Sequence, residues 1–384
     1  VIKLLNKFSS PLLYTTSSLI NAILAFVSSV YIARNISVID YGLTTNIITG
    51  ISVVVVFIGF QFESAISVFY YKQKNEIHTL FAHILYMFLT IAIFFFIGVL
   101  FFLSELSTYL GITNSLVLIS LFSVYALVTN AYLFTVLNVT NRRKEYFIFS
   151  VLRAVLDLSL SVYLIIYLDN HVLSRILGYF LANLIISFCI LFSIKKKYIF
   201  PRISFRMIKL LVLFSSPLIV HAAIGVMLSA VDRFFLTKYN GLMDVGHYSI
   251  AFQIASVYSL VSSSLNLAWV PWFNSVLANF TQESKLLLRN RIISLIILLL
   301  LGCVSLCIIS KYMINIFYGE KYSESGSFVT IILLGFFFQA CYYIFVNFLL
   351  FENKTFLLMK IDIVLLASKI FISYFFIKEY GAFG

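Results

Sequence analysis

Seven ionisable side chains stand within, or at the ends of, long apolar runs: Arg34, Glu63, Arg153, Asp157, His221, Asp232 and Arg233. An ionised side chain in the middle of a membrane helix costs about 2.5–3.5 kcal/mol on insertion scales. Each therefore calls for a partner, a water-filled cavity or the interface. Their chemistry is that of charge. A guanidinium fork matches phosphate oxygens, and a carboxylate or imidazole can hold a proton or a cation. Arg153 and Asp157 are four residues apart and can pair along one helix. His221, Gly225 and Asp232 fall in one narrow helical stripe, with Arg233 beside it. Ser52, Gly59, Glu63 and Ser67 share a face, as do Ser17, Asn21 and Ser28, and again Gln253, Ser256 and Ser263. One reading makes these stripes the walls of a hydrated central cavity between two six-helix halves. The other makes Arg153–Asp157 a self-satisfied structural pair and lets Asp232 and Arg233 snorkel to headgroups. It also makes His221 a hydrogen-bonded packing residue and turns the serine stripes into helix-packing contacts. Glu63 has no charged neighbour at helical spacing and places the strongest demand on its surroundings.

Motifs for covalent chemistry are missing from the sequence. It has no paired-carboxylate motif, Walker A lysine, HExxH or GxSxG. That argues against an enzyme and against a built-in ATPase. No cofactor is expected, and any transport would be secondary, with H+ or Na+ as the candidate coupling ion. Cys189, Cys303, Cys307 and Cys341 lie in apolar runs without metal-ligand spacing and read as small packing residues.

The elements that must position these groups are membrane helices. Apolar residues make up 62% of the 384 residues and charged ones 11%, too few charges to cover a soluble fold of this size. Runs long enough to cross about 30 Å of hydrocarbon fall near 12–32, 43–70, 79–103, 115–140, 147–168, 176–194, 210–237, 246–272, 291–310, 328–351 and 355–377. These predict eleven spans, of which the second, seventh and eighth are long enough to tilt or to extend past the bilayer. The net charge of +12 forms no contiguous basic patch with interleaved aromatics, so nucleic acid is not a partner. With the N-terminus in the cytoplasm, 19 of the 27 Lys and Arg residues fall on the cytoplasmic side and 8 outside. That is the orientation the positive-inside rule selects. The basic connection from Lys195 to Lys209 is the longest loop and divides the chain into 1–200 and 201–384.

The two parts echo each other. Phe8-Ser9-Ser10-Pro11-Leu12 opens the first span and Phe214-Ser215-Ser216-Pro217-Leu218 the seventh, an offset of 206. Arg34 then Gly42, and Arg233 then Gly246, follow at similar places. Two six-helix bundles that start on the same side would be parallel repeats about an axis along the membrane normal. Shifting the sixth span by 206 places a twelfth at 382–400, past Gly384, so the expectation is that this chain lacks it.

Several stretches resemble a known family. Tyr31-Ile32-Ala33-Arg34 with Asp40-Tyr41-Gly42 is similar to its junction between helices one and two. Ser216-Pro217-Leu218, Asp232-Arg233-Phe234-Phe235-Leu236 and Val245-Gly246-His247-Tyr248-Ser249, ending at Pro271, resemble its helix seven-to-eight pattern. Phe317-Tyr318-Gly319-Glu320-Lys321-Tyr322 and Tyr380-Gly381-Ala382-Phe383-Gly384 are similar to the loops after helix nine and before helix twelve. The family is the Wzx-type O-antigen flippases of the multidrug/oligosaccharidyl-lipid/polysaccharide exporter superfamily. The resemblance implies an all-α polytopic fold of two bundles in a MATE-like V. It implies flipping of an undecaprenyl-diphosphate-linked oligosaccharide, an O-antigen or capsule repeat unit, by alternating access across the bacterial inner membrane. A polysaccharide polymerase and a chain-length regulator are the implied protein partners, beside the bilayer. A MATE-like cation-coupled small-molecule exporter is the alternative within the same superfamily. For the flippase, Arg233 is the leading candidate for the diphosphate contact, with Arg34 and Arg153 as the other cations.

Overall fold

The computed structural model describes residues 10–72, 77–194, 203–278, 281–352 and 354–384. Lys3, Lys7, Phe8, Ser9, Lys74, Lys195, Lys196, Lys197 and Arg202, which enter the charge count and the echo above, lie outside the described residues. The described residues form thirteen α-helices, two short 3-10 turns and no strand. In chain order the helices are α1 Ser10–Asn35, α2 Val38–Gly59, α3 Phe62–Lys72, α4 Ile77–Phe101, α5 Leu103–Leu110, α6 Asn114–Val139, α7 Arg143–Tyr167, α8 His171–Ile194, α9 Phe205–Tyr239, α10 Leu242–Ala278, α11 Gln282–Phe317, α12 Ser325–Phe351 and α13 Thr355–Tyr380.

Among the described residues ten helices are long and apolar enough to cross a membrane. The eleventh expected span is α13. It has 26 residues, but Lys360, Asp362, Lys369 and Lys378 interrupt its apolar run. The expected second span, 43–70, is not one helix. It breaks into α2 and α3, and Phe60 and Gln61 between them take left-handed φ of 49° and 53°. Each such residue costs about 1–3 kcal/mol without a glycine to absorb it. The break is supported from α6, where the Tyr132 hydroxyl donates to the Gly59 carbonyl at 2.6 Å. That bond satisfies one of the carbonyls a helix end leaves without an intrahelical partner. The stripe Ser52, Gly59, Glu63, Ser67 is therefore not continuous. Its α3 part survives, with the Ser67 hydroxyl donating to the Glu63 carbonyl at 3.0 Å.

The ninth span is longer than its apolar run. A capping box at Thr281 and Ser284 starts α11 at Gln282, well before the hydrophobic stretch. Hydropathy marks the lipid-crossing part of a helix, whereas hydrogen bonding and capping set its ends. Pro217 in α9 and Pro271 in α10 lie inside long helices, as membrane helices allow.

The chain packs as two units: Val1–Ile36 with Asn46–Ala230, and Ser37–Thr45 with Val231–Gly384. The changeover thus falls inside α9 and not in the 195–209 connection. Burial is the reason. Met207 and Leu211 join the core that Ile51, Ile58, Phe62, Ile66, Phe69, Leu80 and Val128 build in the first unit, and Phe214 meets Phe69 edge-on. Polar contacts add to this unit. Asn130 donates to the Asn183 carbonyl and to its side-chain oxygen, each at 3.0 Å, and Ser187 donates to Asn130 at 3.0 Å. Such side-chain bonds between apolar helices are worth roughly 0.6–2 kcal/mol each. In the second unit Leu236, Val245, Tyr248 and Ile377 form a buried cluster, and the Tyr258 hydroxyl ties α10 to the Leu299 carbonyl of α11 at 2.9 Å.

Candidate functional site

In the second unit charges meet at Asp232, on the last turns of α9. Its carboxylate takes three donors from two other helices. Lys369 Nζ of α13 lies 2.9 Å from Oδ2, the Tyr248 hydroxyl of α10 lies 2.8 Å from the same oxygen, and Ser373 Oγ of α13 donates to Oδ1 at 3.1 Å. Arg233 follows Asp232 directly, but consecutive helix residues point apart. Its guanidinium turns over the rings of Tyr248 and Phe252, at 5.6 and 5.0 Å from their centroids, and Nε reaches Ser249 Oγ at 3.4 Å. Aromatic faces stabilise a cation by about 0.5–2 kcal/mol. The carboxylate is thus paired with Lys369, and the Arg233 cation lies beside it on aromatic faces. Asp232 and Lys369 are partly buried, with 18% and 33% of their side chains exposed.

In the first unit the charges pair differently from the expected Arg153–Asp157 contact. Asp157 binds Arg175 of α8, with Nη1–Oδ1 at 2.5 Å and Nη2–Oδ2 at 3.2 Å, and Arg175 also donates to Ser161 Oγ at 2.7 Å. Arg153 lies over the Phe134 ring, 5.8 Å from its centroid. Gly178 explains the choice. A Cβ there would stand 2.7 Å from Ser161 Oγ, so α8 comes close enough to α7 for the two-point guanidinium contact, which a same-helix partner offers less readily.

The other candidates are spread out. Glu63 is half-buried in the first turn of α3, next to the helix break. Arg34 is exposed near the end of α1, and His221 is exposed on α9. Of the seven candidates, Asp232 and Arg233 lie in the second unit and the other five in the first. The serine stripes mostly bond within their own helices. Ser17 donates to the Tyr14 carbonyl, Ser256 to Gln253 and Ser263 to Leu260. Asn21 of α1 is different and donates to Ser150 of α7 at 2.6 Å. Among the described residues no three His, Cys, Asp or Glu side chains converge as a metal site would require.

Arg175, Lys369, Tyr248 and Ser373 were not among the candidates. Charge balance between spans was a usable signal, because Asp157 lies in the fifth apolar run and the opposite charge of Arg175 stands at the start of the sixth. For Lys369, assigned to the outer side, no such neighbour in sequence exists.

A family model described as polysaccharide biosynthesis protein matches residues 10–277, more than half of the chain. The chain belongs to this family. A relative from Haemophilus influenzae, Lsg locus putative protein 1, is 24% identical over 293 residues, covering 74% of this chain and 69% of its own length. Among solved structures, the lipid II flippase MurJ in an inward closed conformation superposes with a TM-score of 0.76 at 17% identity, over 97% of this chain and 82% of MurJ. An inward-facing multidrug-resistance MATE transporter of the MOP superfamily follows at 0.61 and 14%, over 85% and 81%. The chain shares the fold of these two transporters, and the protein is a multi-pass membrane protein.

Proposed function

We propose that this chain is a flippase that carries an undecaprenyl-diphosphate-linked oligosaccharide, an O-antigen or capsule repeat unit, from the cytoplasmic to the outer leaflet of a bacterial inner membrane. The observation that carries the reading is the cluster of Asp232, Arg233 and Lys369. Lys369 pairs with the carboxylate while Arg233, next to Asp232 on α9, lies over aromatic rings, all on largely apolar helices, in a member of the polysaccharide biosynthesis family. A diphosphate is the part of such a substrate that hydrocarbon excludes most strongly, and charge-assisted hydrogen bonds from Arg and Lys offset that exclusion. Alternating access would move the head group while the polyprenyl tail stays in lipid. The N-terminus is cytoplasmic in this reading, H+ or Na+ is the candidate coupling ion, and a polysaccharide polymerase and a chain-length regulator are the protein partners.

Deletion of the gene tests it. Surface polysaccharide should be lost and lipid-linked repeat units should accumulate in the cytoplasmic leaflet. Accumulation in the outer leaflet would place the block after flipping and remove the reading. The MATE-type likeness supports one alternative, a cation-coupled exporter of small molecules. In that case deletion would raise drug sensitivity and leave the polysaccharide intact.

A further inference from the structure

His247, near the start of α10, is 1% exposed, and only one of its two ring nitrogens is bonded. Nδ1 lies 3.2 Å from Ser325 Oγ of α12. Nε2 is buried and has no hydrogen-bond partner among the described residues. The Glu324 carboxylate, at the N-cap of α12, stops 3.6 Å from Nε2, beyond the reach of a hydrogen bond. The Glu324 side chain is 73% exposed, so the pair runs from the buried ring to the surface. Other titratable groups surround the ring. Asp244 stands three residues earlier on α10 and acts on His247 through its charge, as Glu324 does. Tyr322, in the 3-10 turn Glu320–Tyr322, sets its ring 5.9 Å from the imidazole. Its hydroxyl is also buried without a partner among the described residues. Around Tyr322 lie Asp40 and Tyr41 of α2, Tyr318 of α11 and Lys321 of the turn. All of these residues belong to the second unit.

Neither neutral form of the ring suits this place. With the proton on Nδ1, that nitrogen donates to Ser325, but the Nε2 lone pair faces a carboxylate. With the proton on Nε2, the N–H is buried and its acceptor is out of reach. Only the imidazolium carries a donor on both nitrogens. Burial works against that charge, and the two carboxylates work for it. We propose that His247 is a proton-binding site: Nε2 takes a proton from water, and the imidazolium donates to Ser325 Oγ and draws Glu324 within hydrogen-bond distance. The next two residues of α10 carry the event to the charge cluster. Tyr248 donates to Asp232 at 2.8 Å and lies under the Arg233 guanidinium, and Ser249 Oγ accepts from Arg233 Nε at 3.4 Å. A shift of this turn therefore moves both charged groups of α9, and export responds to pH through it. The link to export rests on the flippase reading, whereas the proton site does not. With the N-terminus cytoplasmic, the starts of α10 and α12 lie on the outer side, so the pH sensed is that outside.

The site is tested on the full chain in lipid nanodiscs, with isotope-labelled histidine followed by NMR as pH is varied. Of the five histidines, the one whose signal is lost in His247→Gln should titrate between about pH 5 and 8. Glu324→Gln should weaken proton binding at that signal by about ten-fold and leave the other histidine signals in place. Glu324 is exposed, so this variant identifies the signal even if His247→Gln does not fold. Export is read as surface polysaccharide in a deletion strain complemented with each protein, at medium pH from about 5.5 to about 8. The ratio of His247→Gln to wild type should change at least about five-fold across that range. Glu324→Gln should displace the pH response of export in the same sense as it displaces the titration. A His247 signal that does not titrate in this range, or that ignores Glu324→Gln, would overturn the proposal and leave the flippase reading standing. A titrating His247 with a ratio that stays flat across pH would overturn the link to export. If the wild-type gene restores no polysaccharide at any pH, the flippase reading falls, and the titration still decides the proton site.

Discussion

Gly42 and Gly246 face each other's helices reciprocally. A Cβ on Gly42 would stand 2.0 Å from the Leu242 carbonyl oxygen, at the start of α10, and a Cβ on Gly246 would stand 2.4 Å from the Val38 carbonyl oxygen, at the start of α2. Three residues further along each helix, Thr45 Oγ1 and Ser249 Oγ lie 2.9 Å apart. Each of these pairs is offset by 204 residues in sequence, so positions that match in the sequence echo meet within the second unit. Only glycine permits backbones this close.

Gly42→Ala and Gly246→Ala should therefore each destabilise the protein by about 1–3 kcal/mol or more, because the added methyl meets backbone that cannot rotate away. Gly50→Ala, where a Cβ would meet nothing within 4 Å, should be neutral or stabilising by up to about 1 kcal/mol. Thermal unfolding in detergent, followed by fluorescence-detected size exclusion, checks the order. A loss at Gly50 as large as at Gly42 would count against the close-approach argument.

Asp157→Asn and Arg175→Met each strand one partner of a pair whose side chains are only 21% and 11% exposed. Either should cost about 3–5 kcal/mol, and the double variant less than the sum. Arg153→Ala should cost clearly less, since Arg153 lies on an aromatic face and not in that ion pair. Unfolding midpoints of the four proteins give the comparison, and additivity of the Asp157 and Arg175 effects would contradict the pairing.

The break between α2 and α3 gives two changes of opposite sign. Tyr132→Phe removes the donor to the Gly59 carbonyl and should cost about 1–3 kcal/mol. Gln61→Gly relieves a left-handed φ of 53° and should hold or raise stability by up to about 1 kcal/mol, net of the added chain entropy. A large loss from Gln61→Gly would mean that the glutamine side chain, and not the turn, holds the break.

Arg233→Ala should abolish most export at unchanged protein level, about ten-fold or more, and Arg233→Lys part of it. A lysine keeps the charge but loses the planar fork that lies over Tyr248 and Phe252. Surface polysaccharide, scored by immunoblot in a complemented deletion strain, gives the readout. Full function of the Ala variant would take Arg233 out of the mechanism and turn attention to Arg34 and Arg153.

A phosphatase fused after Lys197, in the stretch 195–202 that lies outside the described residues, should be inactive. The dense Lys and Arg run in the sequence is what the positive-inside rule expects of a cytoplasmic connection. High phosphatase activity would invert the topology.

The helices, their approximate borders and the membrane class were legible from the amino-acid order. Hydropathy and insertion cost are summed along a segment and need no knowledge of its neighbours. The echo of Pro11 with Pro217 and of Gly42 with Gly246 was legible too, since it compares the sequence with itself. The break at Phe60–Gln61 was not, because a hydroxyl from Tyr132, 73 residues away, supports it, and the apolar run passes through it unchanged. Nor was the choice of ionic partners. Helical spacing offered Arg153 to Asp157 and named no partner for Asp232. Arg175 and Lys369 hold those carboxylates instead. Spacing within a helix fixes only which groups share a face, whereas the partner of a charge in a low-dielectric setting is whichever donor the packing brings within about 3 Å. In the first unit that donor arrived through the close approach at Gly178, and in the second through α13 laid beside α9, contacts that exist only once the helices have packed.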